Sequence, residues 1–223
     1  MESKDLIGKA LLIKKDLEFV RNEGFEEIEI GLRKEDLENI HNIINLVEST
    51  GLKIISVHTP HCIVEDTDAF LKAAEVAKHF NALLVFHSNR IPITYTYKVF
   101  DKINYPKKAA ESNPGISLTA IENCILKNNY DFVLDLAHLF IASDNLMEDI
   151  KYLFENYKNQ IKLIHLSDST LIEDGLPIGG GNINLKEVVK FLDENYKGKL
   201  VVEVMPEFQK GGREKTLDFL KRK

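Results

Sequence analysis

No stretch of the 223-residue chain approaches the ~18 consecutive apolar residues that a membrane span requires, and the start Met1-Glu-Ser-Lys-Asp5 carries no signal-peptide pattern. Two cysteines, Cys62 and Cys124, cannot build a framework of disulfide staples. Small buried thiols in a reduced, cytoplasmic protein are expected instead. A cationic excess is also missing. Against 29 Lys and Arg stand 35 Asp and Glu, a formal charge of −6. Broad binding to nucleic acid or to an anionic membrane would need a basic surface, so neither partner is expected. No low-complexity tract or long linker divides the chain, and residues 1–223 are expected to form one domain. At 44% hydrophobic, that length can bury a full core.

What the chain does contain is alternation. Apolar runs recur near 6–13, 27–32, 53–58, 82–87, 116–122, 131–135, 161–166 and 199–204. Between them lie segments of helical period. Leu37, Ile40, Ile44 and Val47 form one stripe, and 68–80, 147–157 and 185–196 follow the same spacing. Gly24, Gly51, Gly115 and Gly198 stand just before strands, where helices hand over to sheet. Such repetition implies parallel strands with right-handed crossovers, and eight strands favour a closed (β/α)8 barrel over an open sheet. One unit is irregular. Thirteen positions separate Glu122 from Asp135, too few for a strand plus a full crossover helix, a connection of about 10–12 residues by itself. The fifth helix is therefore expected to be a single turn around 125–128, or missing.

Four of the runs close on a metal-ligand-type side chain: Ser117-Leu-Thr-Ala-Ile-Glu122, Phe132-Val-Leu-Asp135, Ile161-Lys-Leu-Ile-His165 and Leu200-Val-Val-Glu203. Two more end on histidine, Ile54-Ile-Ser-Val-His58 and Ala82-Leu-Leu-Val-Phe-His87. Several carboxylates buried at strand ends are costly unless something compensates their charge, and a divalent cation does so most directly. A lone histidine is more often a neutral group bonded to a neighbouring strand. With Glu122 expected beside them, His58 and His87 are expected to touch metal or substrate. Asp168 and Ser169 are expected to support His165 and fix its tautomer. Gly179-Gly180-Gly181-Asn182 could cradle a phosphate on its N–H groups. A glycine triplet alone is not specific, so a tight turn with Asn182 or Asn184 capping the next helix is preferred.

With these residues in view, the whole chain resembles the xylose-isomerase-like barrel superfamily, which holds sugar isomerases and epimerases alongside endonuclease IV. The resemblance rests on Ser56-Val-His58, Val85-Phe-His87, Ala120-Ile-Glu-Asn123, Leu134-Asp-Leu-Ala-His138, Ile164-His-Leu-Ser-Asp-Ser169, Ile178-Gly-Gly-Gly-Asn-Ile183 and Val202-Glu203, in that order. It implies an ion held by three carboxylates and one histidine, falling here on Glu122, Asp135, His165 and Glu203. That set suits Zn²⁺, Mn²⁺, Mg²⁺ or Co²⁺. It implies that Glu122 and Glu203 also serve as an acid–base pair, and that His58 and His87 hold a second ion in the endonuclease-like branch. His138 would orient substrate or touch a further zinc. Glu29 matches an acidic residue of strand two that touches substrate or pairs with a lysine.

Two departures stand out. The third-zinc histidine is missing from Glu173-Asp174-Gly175, with His61 a conceivable substitute or a polar loop residue near the substrate. The arginine that commonly follows the strand-seven histidine by six positions is Leu171. Arg33 and Arg90 would reach the mouth in its place, or remain solvated loop charges. The expected function is isomerisation or epimerisation of a small sugar or sugar phosphate, with one or two ions stabilising an enediolate. The alternatives are an endonuclease IV-like phosphoester hydrolase and a metal- or sugar-binding barrel without turnover.

Overall fold

Eight parallel strands close on themselves in the computed structural model, which describes residues 1–2, 5–61, 67–87 and 100–221. They are β1 (Leu6–Leu11), β2 (Glu27–Gly31), β3 (Lys53–His58), β4 (Leu83–Phe86), β5 (Lys108–Glu111), β6 (Phe132–Asp135), β7 (Ile161–Leu166) and β8 (Leu200–Val202). Their order in space is their order in sequence, and β8 returns to pair with β1 through Leu6↔Leu200 and Ile7↔Val201. This is the (β/α)8 barrel expected from the alternation. Around it run α1 (Lys14–Asn22), α2 (Ile40–Thr50), α3 (Thr67–His79), α4 (Leu118–Cys124), α5 (Leu136–Ala142), α6 (Leu146–Tyr157), α7 (Leu185–Asn195) and α8 (Pro206–Lys221). No helix among the described residues is long and apolar enough to cross a membrane.

The two-residue period of a strand divides the apolar residues into two sets. Ile7, Val85, Ala109, Val133, Leu163 and Val201, with Ile55 and Leu83 beside them, fill the inside of the barrel. Their neighbours, such as Leu84, Phe86, Ala110, Leu134, Ile164 and Val202, pack outward with the helices in one continuous core. In β3 the register skips Ile55, between the pairs Ile28↔Ile54 and Glu29↔Ser56. Gly8 is needed where α1 and α8 close on β1. A Cβ there would stand 2.8 Å from both Val20 Cγ1 and Gln209 Oε1.

The fifth unit differs from the sequence reading. Residues 116–122 are not a strand; Ser117 caps α4, its side chain accepting from Ala120 N at 3.3 Å, and Ile121 turns into the core. The strand lies earlier, at Lys108–Glu111, pairing Ala110↔Phe132 and Glu111↔Val133. Its connection to β6 is then long enough for a seven-residue helix and a 3-10 turn at Leu126–Asn128. The fifth helix is short but present. The first helical segment also begins later than its period implied, because Asn39 leaves helical geometry and accepts from Asn42 N at 3.2 Å as the cap of α2.

Candidate metal centre

One step of two residues beyond the apolar filling, each strand carries its next inward side chain. From Ile7, Val85, Ala109, Val133, Leu163 and Val201 that step leads to Lys9, His87, Glu111, Asp135, His165 and Glu203. All point to the C-terminal mouth, where barrels of this kind place their chemistry. Ligand atoms of Glu111, Asp135, His165 and Glu203 lie within 4.8 Å of one another. His165 Nδ1 is 2.5 Å from Glu203 Oε2, 3.0 Å from Glu111 Oε1 and 3.7 Å from Asp135 Oδ2. Four donors from four strands, three of them carboxylate and one imidazole, match the needs of a hard or borderline divalent cation.

The charge is only partly balanced by the protein. Four carboxylates (Glu29, Glu111, Asp135 and Glu203) meet one lysine. Lys9 Nζ bonds Glu203 Oε1 and lies 3.1 Å from Glu29 Oε1. Burial works against its charge, yet Glu203, Glu29 and Glu111 hold the ammonium well above its ordinary value. His165 behaves alike: burial opposes its charge, but Glu203, Glu29 and Glu111 raise it well above 6.5. Glu111 and Glu203 move the opposite way, burial raising them and His165 pulling both well below the carboxylate range. A proton on His165 thus does in part what a divalent cation would do fully. One buried nitrogen beside the cluster, His87 Nε2, has no hydrogen-bond partner among the described residues.

A second group lies beside the first. His58, His61 and His87 bring ring nitrogens within 4.8 Å, with His87 Nδ1 3.1 Å from His61 Nδ1. His58 Nε2 lies 2.9 Å from Glu111 Oε2, so Glu111 joins the two groups. Burial is the main reason that His87 falls to about 3 and that His61 is lowered. Neutral rings are the ligating form.

Other expectations are corrected. Glu122 is not in the cluster. It sits on α4, where Tyr152 and Tyr157 donate to its Oε1 at 2.6 and 2.7 Å and Lys127 Nζ lies 3.2 Å from its Oε2. Glu111 occupies the place assigned to it. Glu29 is fully buried and pairs with Lys9, one of the two alternatives expected of it; Ser56 Oγ donates to it at 2.8 Å, and His165 Nε2 lies 3.2 Å away. It therefore orients His165, the task expected of Asp168. Asp168 instead ties the β7–α7 loop, accepting from Ser169 N, Gly179 N and Ile183 N. Within the glycine turn Gly179 N is spent on Asp168, Gly180 N on Pro177 O and Asn182 N on Ser169 O, which fits the tight turn preferred over a phosphate cradle. Asn184, expected as a possible cap of α7, makes no side-chain cap bond.

His138 does reach the cluster. Its Nδ1 is 3.8 Å from Glu111 Oε1 and 3.9 Å from Asp135 Oδ2, and its Nε2 is 3.4 Å from Asp174 Oδ2. Burial opposes protonation, but Asp135 and Asp174 raise it to about 10. Arg33 is held by Asp36 at 2.7 Å. Arg90 and Cys62 fall outside the described residues.

Lys9 and Glu111 escaped the sequence reading. Lys9 is a lone cation inside an apolar run, a signal that was present. Glu111 follows only two alanines in Lys108-Ala-Ala-Glu111, a strand with too little hydrophobic contrast to stand out.

A family model described as xylose isomerase-like TIM barrel matches residues 109–223, just over half of the chain. No curated protein matches it. Among solved structures, a Thermus thermophilus protein soaked with ZnCl2 superposes with a TM-score of 0.70 at 18% identity, covering 97% of this chain and 96% of that one. D-allulose 3-epimerase from Methylomonas sp., in complex with D-allulose, gives 0.65 at 12% identity over 97% and 96%. AP endonuclease, family 2, from Brucella melitensis gives 0.66 at 13% identity over 93% and 95%. At such identities the likeness is one of fold.

Proposed function

The chain belongs to the xylose isomerase-like TIM barrel family, and from that premise we propose that it is a divalent-metal-dependent isomerase or epimerase. Its substrate would be a small sugar or sugar phosphate, and its reaction a proton transfer at a carbon beside a carbonyl. The observation that carries this reading is the four-donor cluster of Glu111, Asp135, His165 and Glu203 at the open end of the barrel. Zn²⁺, Mn²⁺, Mg²⁺ or Co²⁺ bound there would supply Lewis-acid polarisation of a carbonyl oxygen. Asp135 and His165 are buried and serve as anchors. Glu203 is the more open of the carboxylates, its side chain 24% exposed, and lines the adjoining cleft. It takes the proton from carbon. Glu111, which shares the Nδ1 edge of His165 with Glu203, returns a proton to the opposite face of the substrate. Lys9 keeps Glu203 ionised, and His138 donates to a substrate oxygen.

Turnover in heavy water tests this. A panel of ketoses, aldoses and their phosphates, followed by proton NMR, is expected to show metal-dependent deuterium at the reacting carbon, lost in Glu203→Gln. Interconversion without solvent label would point to a hydride shift, and no turnover across the panel would sink the reading.

A phosphoester hydrolase is the second reading, favoured by one observation: Glu111 links the carboxylate cluster to His58, His61 and His87, so two ions could sit side by side. Nucleic acid is the weaker partner, given the formal charge of −6. Metal-dependent nicking of abasic duplex DNA that vanishes in Glu111→Gln would promote this reading.

A further inference from the structure

A cleft of about 590 Å³ opens beside the metal cluster, between the β1–α1 and β8–α8 connections, and both Lys9 and Glu203 belong to its lining. That volume lies in the range of small-molecule sites. Most of the remaining wall is carbon: Leu11, Phe19, Val204, Met205 and Pro206. Leu11, Phe19 and Met205 are 48%, 37% and 61% exposed, so the apolar wall faces solvent next to buried charge. Leu171 and Ile172 are also exposed, on the loop that brings Gly175 to the same cleft. A polyhydroxylated chain lying along Leu11, Phe19 and Met205 would leave hydroxyls against carbon, with side-chain partners away from the metal cluster only at Lys15, Asp16 and Glu207. A phosphate end fits no better, because the one peripheral lysine, Lys15, is accompanied by Asp16 and Glu207.

Building on the proton-transfer reading, we propose that this cleft receives the non-reacting end of the substrate and that this end is apolar. The substrate class is then a deoxygenated, alkyl- or aryl-substituted sugar or similar hydroxy-carbonyl compound. Its reacting carbon lies at Glu203 and its hydrophobic group lies against Leu11, Phe19 and Met205. The shared lining is what ties the two ends together, since one continuous space touches both the acid–base carboxylate and the apolar wall.

Three hydroxamates with the same metal-chelating head separate the possibilities by calorimetry on the Mn²⁺-loaded protein: acetohydroxamate, threonohydroxamate with a polyol tail, and 4-phenylbutyrohydroxamate with an apolar one. The phenylbutyl compound is expected to bind about tenfold or more tighter than the polyol compound. Met205→Glu and Phe19→Glu should each shrink that ratio severalfold. If acetohydroxamate itself fails to bind, the metal-site reading fails and the present proposal falls with it. If the head binds but the polyol tail is equal or preferred, the proposal alone is overturned. An unchanged ratio in Met205→Glu, together with a halved solution mass, would assign the apolar wall to a second copy of the chain and also overturn it.

Discussion

Glu111 Oε1 lies 3.0 Å from His165 Nδ1, so a carboxylate on β5 and an imidazole on β7 face one point across β6. The other oxygen of Glu111 is 2.9 Å from His58 Nε2, which makes this residue the link between the two candidate ligand groups. Glu122, by contrast, faces two tyrosines on α6. Substituting each glutamate separates these roles. Glu111→Gln should lower metal affinity by at least about 10- to 100-fold, the span that follows loss of a residue merely supporting a ligand, while Glu122→Gln should keep full metal content. Elemental analysis and metal titration of both variants decide it. Loss of metal in Glu122→Gln with retention in Glu111→Gln would place the ion elsewhere.

Glu122 has a different signature, visible in stability. The Tyr152 and Tyr157 hydroxyls, followed by Lys127, hold its carboxyl down at about 2 against an ordinary 4.5. A depressed carboxylate contributes stability that is present above the unfolded value and is lost as pH falls towards the folded one. Glu122→Gln should therefore lower the melting temperature slightly at pH 7, and the gap to the parent protein should close between pH 4.5 and about 2. A gap that is constant across that interval would mean that the tyrosines act through packing, not through the charge.

Much of the site was readable because the strand period carries over from filling to ligand. His58, His87, Asp135, His165 and Glu203 each end an apolar run, and the structure brings all five to one mouth. Glu111 was hidden because Ala109 and Ala110 give its strand almost no apolar mass, while Leu118-Thr-Ala-Ile121 nearby is more hydrophobic. The Pro114-Gly115 pair ahead of Ser117 could have exposed that segment as a capped helix. The spacing offered a second hint: twenty-four positions from Glu111 to Asp135 leave room for a crossover that thirteen do not. Glu29 stands beside His165 where Asp168 was expected, because which of two buried acids faces His165 depends on register across β2 and on the loop after β7. Neither is a local property of sequence.

That loop yields its own prediction. Gly181 passes so close to Ser169 that a Cβ would stand 2.4 Å from its carbonyl oxygen and 2.5 Å from Asp168 Oδ1. Backbone atoms cannot step aside as a flexible side chain can. Gly181→Ala should cost about 1–3 kcal/mol through overpacking, a fall of roughly 2–9 °C in melting temperature for a chain of this size. Gly211→Ala, on α8 with nothing within 4 Å of its added carbon, is the control and should be neutral or mildly stabilising. Equal melting temperatures for the two variants would show that the loop has slack.

Metal binding should be tied to protons, with a sign fixed by the cluster. Burial alone would lower His165, but Glu203, Glu29 and Glu111 raise it well above 6.5, so the metal-free site holds a proton there. The Nδ1 atom that faces the three carboxylates must lose that proton to ligate. Apparent affinity should then rise with pH, by up to about tenfold per unit while one proton is displaced. Stability follows the same linkage. The raised value of His165 stabilises the metal-free protein fully below 6.5, and this contribution is lost as pH rises through the folded value. Glu111 and Glu203, held below 4.5, contribute above that value and lose their contribution as pH falls. The metal-free protein is therefore most stable between those limits, and the stabilisation added by Zn²⁺ or Mn²⁺ should grow from pH 6 to pH 8.5. Calorimetry in buffers of different ionisation enthalpy counts the protons released, and melting curves with and without metal follow the stability. Proton release near zero, with a metal-induced shift independent of pH, would remove His165 from the ligand set.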